Sequence, residues 1–256
     1  MELFAVEGIP EIEPGDDIAA EIDSRVDLQP SDVVCVASTI VSKAEGRTAD
    51  LAEYPAGPRA REIAANLSEL EDREKDPRFA QAVLEESVEI IMESPFLLTE
   101  TRFGHVGVNA GIDRSNVPDG DLLLLPKRPS ESAARIQEGL TAEQVIVTDT
   151  CGRPFRYGQR GVAIGWDGMP ASRDWRGAVD RDGRELGVTV QNVIDELAAA
   201  ANLVAGEAAD GKPVVVVRDF EFGDLPGSQN HFRDLEGDYV RQALRGWSYS
   251  PHGGAA

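Results

Sequence analysis

The chain has 256 residues, of which 41% are hydrophobic, and a formal net charge of −21. A chain of this length and composition can bury a real core, which excludes bulk disorder. Its acidic residues are spread along the whole sequence, so nucleic acid is not expected as a partner, because binding it requires a basic surface. No apolar run approaches the ~18 residues that a membrane helix needs, so no membrane association is expected.

The first residues are acidic and lack the basic start of a secretory signal peptide, and the spacing of the two cysteines matches no zinc site. A cytoplasmic location is therefore expected. The basic residues are mostly arginines, with lysines at positions 43, 75, 127 and 212. An evenly acidic, lysine-poor surface suggests a halophilic protein, since concentrated salt screens the repulsion between its charges.

Hydrophobic patterning predicts four elements in the first half of the chain. The sequence "DVVCVAST" indicates a buried strand over Val33–Ala37, and "IVSKAEGR" after it is interpreted as a turn or loop. Apolar residues at helical spacing predict helices over residues 59–71 and 78–92. The stretch 96–109 is expected to be extended.

The second half alternates apolar strands with helical segments. The stretches "LLLLP", "QVIVTDT", "GVAIGW" and "KPVVVVRD" predict buried strands. Helices are predicted over residues 129–140, with a serine N-cap and Gly139 near the end, over 188–205 and over 234–245. Because strands and helices mix without strict βαβ alternation, the pattern favours an α+β fold with mixed sheets and helices.

Polar residues gather at three predicted strand ends. "VAST" supplies Ser38 and Thr39 with Lys43 shortly after; "VNAGIDRSN" supplies Asn109, Asp113 and Asn116; "VTDTCGRPFR" supplies Asp149, Thr150, Arg153 and Arg156. Carboxylate, hydroxyl and amide oxygens suit Mg²⁺ or Mn²⁺. Lysine and arginine can neutralise phosphate oxygens, and the glycines at 107 and 111 let the backbone approach a ligand. The set predicts a cleft for a cation with phosphate.

Simpler interpretations of the same residues stay open at this point. Asp113 and Asn116 are also typical turn residues, Asp149 could cap a turn, and Ser38 could merely end a strand. Cys151, beside Asp149, is an alternative nucleophile, although nothing nearby in sequence lowers its pKa. Lys43 is the most suggestive of these residues, because a chain that prefers arginine has kept a compact ammonium group there.

Taken together, "DVVCVASTIVSKAEGR", "GVNAGIDRSNVP", "VIVTDTCGRPFRYGQRGVAIGWDG" and "AANLVAGEAADGKPVVVVRD" resemble the coenzyme F420-0:L-glutamate ligases, the γ-glutamyl ligases of deazaflavin cofactor synthesis. The acidic composition would fit a haloarchaeal member. The resemblance implies a GTP-dependent ligase that joins one glutamate to F420-0 and then a second through a γ-linkage, by way of an acyl phosphate. It also implies two Mn²⁺ or Mg²⁺ ions per subunit, K⁺, and an intertwined homodimer with a two-lobed α+β fold.

The resemblance further implies roles for individual residues. Nucleotide contacts would come from Ile9, Pro10, Glu11, Ile12, Ser38, Thr39, Lys43, Asn116, Ala205, Gly206, Glu207, Ala208, Ala209, Asp210, Gly211 and Lys212. Metal ligands would be Asp113, Asp149, Thr150 and Glu207. Lys43, Asp113 and Asp149 would carry the chemistry. Ala205 stands where the family pattern has methionine, and Cys151 where it has an aromatic residue, but neither is a proposed ligand.

The resemblance covers residues 1–219, which would form the ligase core with its two lobes. Residues 220–256 would form a helical extension packed on that core. Two other function classes stay open: a metal- and nucleotide-dependent ligase for a different acid on the same fold, and a nucleotide-binding module without catalysis. Loss of the metal ligands would mark the second, and the Asp, Asp, Thr and Glu set is intact.

Overall fold

A computed structural model of the chain describes residues 1–114, 117, 120–208 and 211–249. Its strands are β1 (Glu2–Ala5), β2 (Val33–Ala37), β3 (Thr48–Ala49), β4 (Ser87–Met92), β5 (Leu98–Thr101), β6 (Val106–Val108), β7 (Leu122–Leu123), β8 (Gln144–Gly152), β9 (Gln159–Asp167), β10 (Ser172–Asp174), β11 (Val190–Asn192), β12 (Val214–Arg218) and β13 (Gly227–Ser228). Its α-helices are α1 (Ile18–Asp23), α2 (Ser38–Ala44), α3 (Pro58–Glu71), α4 (Pro77–Glu86), α5 (Pro129–Glu138), α6 (Val193–Ala205) and α7 (Tyr239–Arg245). The mixture of sheets and helices confirms the predicted α+β class.

The chain divides into two compact units, of which the first comprises Met1–Gly46 and Arg128–His231. Its main sheet has the strand order β1-β12-β2-β8-β9, in which β2 and β8 are parallel and the other neighbours are antiparallel. The apolar face of α6 packs on this sheet over a core that includes Ile146, Ile194 and Val215. A smaller antiparallel sheet has the order β11-β10-β13.

Two glycines of β9 allow helices to lie directly on the first unit's main sheet. A Cβ atom at Gly161 would lie 2.5 Å from the backbone oxygen of Ala198 in α6. A Cβ atom at Gly165 would lie 2.2 Å from the backbone of Pro129 in α5. These contacts leave no room for a side chain, so glycine is needed where each helix crosses the strand.

The second unit comprises Arg47–Lys127 and the stretch that begins at Phe232. Its antiparallel strands β4-β5-β6 and the pair β3-β7 accompany α3 and α4, whose apolar faces share a core with Ile63, Val83 and Leu122. The C-terminal helix α7 is tied to this sheet through Arg241, which contacts the carboxylates of Glu89 and Glu100. The predicted division of the chain at residue 219 stays a prediction.

Among the helices that the structure describes, none has both the length and the apolar character of a membrane-spanning segment.

Two predictions of secondary structure in the N-terminal half of the chain are wrong. The stretch 40–47 was predicted as a turn or loop, but its first five residues belong to α2 (Ser38–Ala44), because Ile40 and Val41 gain burial against the sheet that no local pattern reveals. The predicted helix 78–92 ends at Glu86 and continues as β4. The β-branched residues after Ser87 favour a pleated strand once β5 supplies hydrogen-bonding partners.

The remaining differences concern element boundaries. α6 begins at Val193, where the side chain of Asn192 caps the helix, so residues 190–192 are a strand and not part of a helix from 188. α5 has Arg128 rather than a serine at its N-cap, since Pro129 occupies the first turn, whereas Gly139 is its C-cap as predicted. α7 begins only at Tyr239, because the carboxylate of Asp238 caps it there. β7 is shorter than predicted, although Leu122–Leu125 are buried.

A buried ion pair joins the two central strands of the first unit. Asp32, which is fully buried just before β2, accepts hydrogen bonds at 3.0 and 2.6 Å from the guanidinium of Arg218 at the end of β12. Burial alone would raise the pKa of Asp32, but the hydrogen bonds from Arg218 and from the backbone N–H of Gln29 outweigh it and lower the pKa. The carboxylate therefore stabilises the fold above its unfolded pKa, and this contribution is lost as pH falls through the folded pKa.

Asp32→Asn is expected to lower the melting temperature at neutral pH by roughly 5–10 °C, because breaking a buried ion pair costs about 3 kcal/mol or more. The difference from the parental protein should begin to narrow below about pH 4, the ordinary pKa of an aspartate, and should disappear only below the lowered folded pKa of Asp32. Melting curves between pH 3 and 8 measure both effects. Asp174→Asn, in the solvent-exposed pair with Arg176, is the matched control and should shift the melting temperature far less. Equal shifts in the two variants would contradict the structural role of Asp32.

Candidate functional site

One edge of the five-stranded sheet collects most of the segments that the sequence analysis singled out in the first unit. β2 and β8 run parallel side by side, so both end at this edge. β1 ends and β12 begins there too, since each is antiparallel to its neighbour. Three segments therefore leave or enter the sheet at one place, namely residues 6–12, 38–43 and 211–213. β8 continues four residues beyond the end of β2, into the hairpin turn 153–158. Ligands commonly bind where the carboxyl ends of parallel strands meet.

Two of the polar strand ends are in direct contact. The buried hydroxyl of Ser38, the first residue of α2, donates a 3.2 Å hydrogen bond to a carboxylate oxygen of Asp149 in β8. The neighbouring Thr39 is half-buried. Since α2 starts without a side-chain cap, Ser38 is available for this contact. The structure thus joins two motifs that lie 111 residues apart in sequence.

Lys43 lies in the last turn of α2 rather than in a loop, and its ammonium forms an ion pair with the carboxylate of Glu11. The Lys43 side chain is only 12% exposed, whereas that of Glu11 is 63% exposed. Ile12 next to it is buried, and Ile9 and Pro10 are at least partly exposed. The predicted nucleotide segment 9–12 and Lys43 therefore belong to the same local surface, where the exposed carboxylate of Glu11 lies against the largely covered ammonium of Lys43.

The other residues predicted in the first unit surround the same edge less closely. Thr150 is half-buried in β8, opposite Gly161. Ala205 ends α6, Gly206 is its C-cap, and Glu207 is exposed and accepts a 2.7 Å hydrogen bond from Asn202. Ala208 and Gly211 are exposed and Lys212 is half-buried. Pro213 accepts a 2.8 Å hydrogen bond from the backbone N–H of Ala37, just before Ser38. Ala209 and Asp210 lie outside the described residues.

The loop that contains Asp113 belongs to the second unit. Asp113 pairs with Leu123 through two backbone hydrogen bonds, and its carboxylate accepts from the N–H of Arg114 at 2.6 Å. The carboxylate of Asp121 accepts from the N–H of Leu51 at 2.9 Å, a contact between residues 70 positions apart that joins this loop to the start of a 3₁₀ turn. Asn116 lies outside the described residues. At least part of this acidic loop therefore serves the local backbone.

Two glycines of that region, Gly107 and Gly111, lie against side chains of the protein itself. A Cβ atom at Gly111 would lie 2.4 Å from the side chain of Leu125, and one at Gly107 would lie 3.0 Å from the His105 ring. Gly111 also has a φ of +66°. Both glycines thus make room for side chains of the protein itself, and the expectation that they also admit a ligand stays a prediction.

The donor chemistry around Asp149 suits a hard cation. Asp149 and Ser38 offer a carboxylate and a hydroxyl oxygen, the donors that Mg²⁺ and Mn²⁺ prefer. In the described parts of the chain, no three histidine, cysteine or carboxylate side chains lie close enough together to form a complete protein cage. Magnesium sites of nucleotide enzymes usually complete their coordination with substrate phosphates and water, so this set fits a cation that binds together with a nucleotide.

The surroundings of Cys151 argue against its alternative role as a nucleophile. Burial, and then the negative charge of Asp149, raise the pKa of the Cys151 thiol to about 11. At neutral pH the side chain is therefore a protonated thiol, which is a poor nucleophile. The raised pKa therefore does not favour Cys151 as a nucleophile.

The hairpin between β8 and β9 carries a feature that the sequence analysis noticed only in part. Arg153 and Arg156, which were singled out as possible phosphate ligands, are exposed there. Phe155 is 95% exposed and Tyr157 is fully exposed. The alternation of arginine and aromatic residues in "GRPFRYGQR" was the available signal, but only the structure shows that the aromatic rings lie outside the core.

Comparison with known proteins adds an independent line of evidence. Residues 8–219 match the family model described as F420-0:Gamma-glutamyl ligase. A protein of Halorubrum lacusprofundi named coenzyme F420:L-glutamate ligase is 74% identical over 97% of this chain and 99% of its own length. Proteins with the same name from Archaeoglobus fulgidus and Methanosarcina mazei are 48% and 43% identical, each over 96% of this chain and at least 97% of their own length.

Proposed function

Since this chain belongs to the F420-0:gamma-glutamyl ligase family, we propose that it is a GTP-dependent enzyme that adds L-glutamate to coenzyme F420-0. A second glutamate then follows through a γ-linkage. The observation that carries this proposal is the meeting of the Ser38 and Asp149 motifs at one sheet edge, beside the ion pair of Lys43 and Glu11. Nucleotide chemistry needs cationic and oxygen-donor groups in this kind of proximity.

The proposed reaction has two steps. The terminal phosphoryl group of GTP moves to the carboxylate of F420-0, which forms an acyl phosphate and releases GDP. The amine of glutamate then attacks the acyl carbon, phosphate leaves with the bonding electron pair, and the amine loses a proton to solvent. Both steps depend on alignment and charge neutralisation more than on covalent help from the protein.

Lys43 would supply fixed positive charge to the phosphates. In the structure its ammonium is held by Glu11, whose exposed carboxylate can turn into water. A nucleotide phosphate would replace that carboxylate without leaving the ammonium uncompensated. Ser38 and Thr39, at the start of α2, would add hydroxyl donors to the same phosphates.

Asp149, Thr150 and Glu207 would hold Mg²⁺ or Mn²⁺, which supplies neutralisation of the negative charge on the phosphate oxygens. Two such ions per subunit, K⁺ and a homodimer are part of the proposal through the family resemblance. The segment Ile9–Ile12 and the residues from Ala205 to Lys212 would contact the nucleotide. Asp113, in the second unit, and Asn116, outside the described residues, stay predictions of the motif resemblance.

Incubation with F420-0, GTP, Mn²⁺ and L-glutamate should yield a product heavier by one glutamyl residue, and then by two, with one GDP formed for each glutamate. Hydroxylamine in place of glutamate should trap the activated acid as a hydroxamate. Reactions with ATP, or without metal, serve as controls. GTP consumption without any mass gain on F420-0 would indicate a ligase for a different acid. GTP binding without consumption would indicate a nucleotide-binding module.

A further inference from the structure

The tip of the β8–β9 hairpin, residues 152–160, has a surface unlike the rest of the molecule. All nine residues are exposed. The tip carries Arg153, Arg156 and Arg160 and contains no acidic residue, in a chain whose net charge is −21. Arg160 lies 3.6 Å from Asp195, whereas neither Arg153 nor Arg156 forms an ion pair with any residue that the structure describes. The tip is therefore a positively charged projection on an acidic protein.

The two aromatic side chains of the tip expose apolar surface to water and do not stabilise the fold. Phe155 is 95% exposed and Tyr157 fully so, and neither contributes to a core. Phe155 also has a φ of +67°, a left-handed backbone conformation that bulky residues rarely adopt. Strain and exposed apolar surface that persist together are typical of binding segments.

We propose that this hairpin tip binds the deazaflavin end of the acceptor substrate, with Phe155 and Tyr157 stacking on its flat ring and Arg153 and Arg156 pairing with its phosphodiester. This inference rests on the proposed function. Arginine matches phosphate geometry and, like aromatic side chains, stacks on planar rings. The combination is the one that proteins use for aromatic phosphate ligands, such as the bases and phosphates of single-stranded nucleic acid.

The position of the tip supports this assignment. β8 leads without interruption from Asp149 and Thr150 into the hairpin. At about 3.3 Å per residue, Arg153 lies roughly 13 Å along the chain beyond Asp149. F420-0 has its carboxylate at one end and its ring at the other, with a phosphodiester and a ribityl chain between them. A molecule whose carboxylate reacts near Asp149 would therefore extend its ring toward the tip.

A second copy of the chain is the less favoured occupant of this surface. A stable interface buries about 800 Å² on each partner and involves roughly 20–30 residues a side, which nine residues cannot supply. The size and chemistry of the tip fit a small aromatic anion better.

The test compares two double variants, Phe155→Ala with Tyr157→Ala and Arg153→Gln with Arg156→Gln. In each, KM for F420-0 should rise about tenfold or more, the effect expected for a lost stacking or phosphate contact, while KM for GTP and for glutamate changes less than twofold. Melting temperatures should stay at the parental value, since all four side chains are exposed. Tyr239→Ala and Arg181→Gln, at other exposed positions, are the matched controls.

Binding of F420-0 itself is measured without GTP, from the anisotropy of the deazaflavin fluorescence. This measurement tests deazaflavin binding at the tip directly. It therefore stays informative if the ligation assay fails because the protein couples a different acid. Weaker F420-0 binding in both double variants, but not in the controls, supports the assignment. Unchanged binding, an equal rise in KM for GTP, or a smaller oligomer with unchanged affinity for F420-0 would overturn it.

Discussion

Asp149→Asn is expected to lower the rate of glutamate ligation at least ~100-fold while the protein stays folded, the scale seen when one preorganised electrostatic group is removed. The asparagine side chain has nearly the same shape, and its amide oxygen can still accept the hydrogen bond that Ser38 donates to Asp149. What the substitution removes is the negative charge. If that charge holds a cation against the phosphates, catalysis is lost without loss of structure.

Single-turnover ligation at saturating Mn²⁺, together with a melting curve, measures both sides of this prediction. Asp167→Asn is the control, because Asp167 lies in the adjacent strand β9, pairs with Val145 and is likewise half-buried. It should ligate at the parental rate. A folded Asp149→Asn protein with near-normal activity would show that Asp149 has no role in metal binding.

Lys43→Arg is expected to lose nearly as much ligation activity as Lys43→Ala, by roughly 100-fold. The ammonium of Lys43 is largely covered and acts as a compact point charge, whereas arginine carries a wider planar group. Because Lys43 lies in helix α2 and not in a loop, the backbone around it cannot easily shift to accommodate a wider side chain. Loss of the ion pair itself should cost little stability, since the partner Glu11 is mostly exposed and stays hydrated, and a melting curve of each variant measures any further cost of changing the covered side chain.

Measurements of GTP affinity with metal present and of single-turnover ligation separate two roles for Lys43. If a variant loses both GTP affinity and ligation rate, Lys43 binds the phosphates in the ground state. If it loses ligation rate alone, Lys43 acts in the transition state. Lys75→Arg, in the exposed pair with Glu71, is the control and should behave as the parent. Glu11→Gln should lose much less activity than Lys43→Ala. A Lys43→Arg protein with parental activity would show that the lysine is incidental.

The local pattern of apolar residues was sufficient to predict the strands that consist almost entirely of such residues. Val33–Ala37 and Val214–Arg218 are strands as predicted, because runs of valine are stable only when both faces of a strand are covered. Pattern failed where a helix and a strand share similar spacing, as in residues 78–92. It also failed for α2, whose seven residues have too little length for a helical period to be recognised.

The amino-acid sequence by itself determined the α+β class and, through long motifs in a fixed order, the ligase family. Only the tertiary structure decided that Ser38 touches Asp149, that Lys43 is held by Glu11, and that the rings of Phe155 and Tyr157 face solvent. Strand and helix preferences arise between residues a few positions apart, so they can be inferred along the chain. A contact between residues 111 positions apart depends on strand order and register, which are set by how the whole sheet buries its apolar faces.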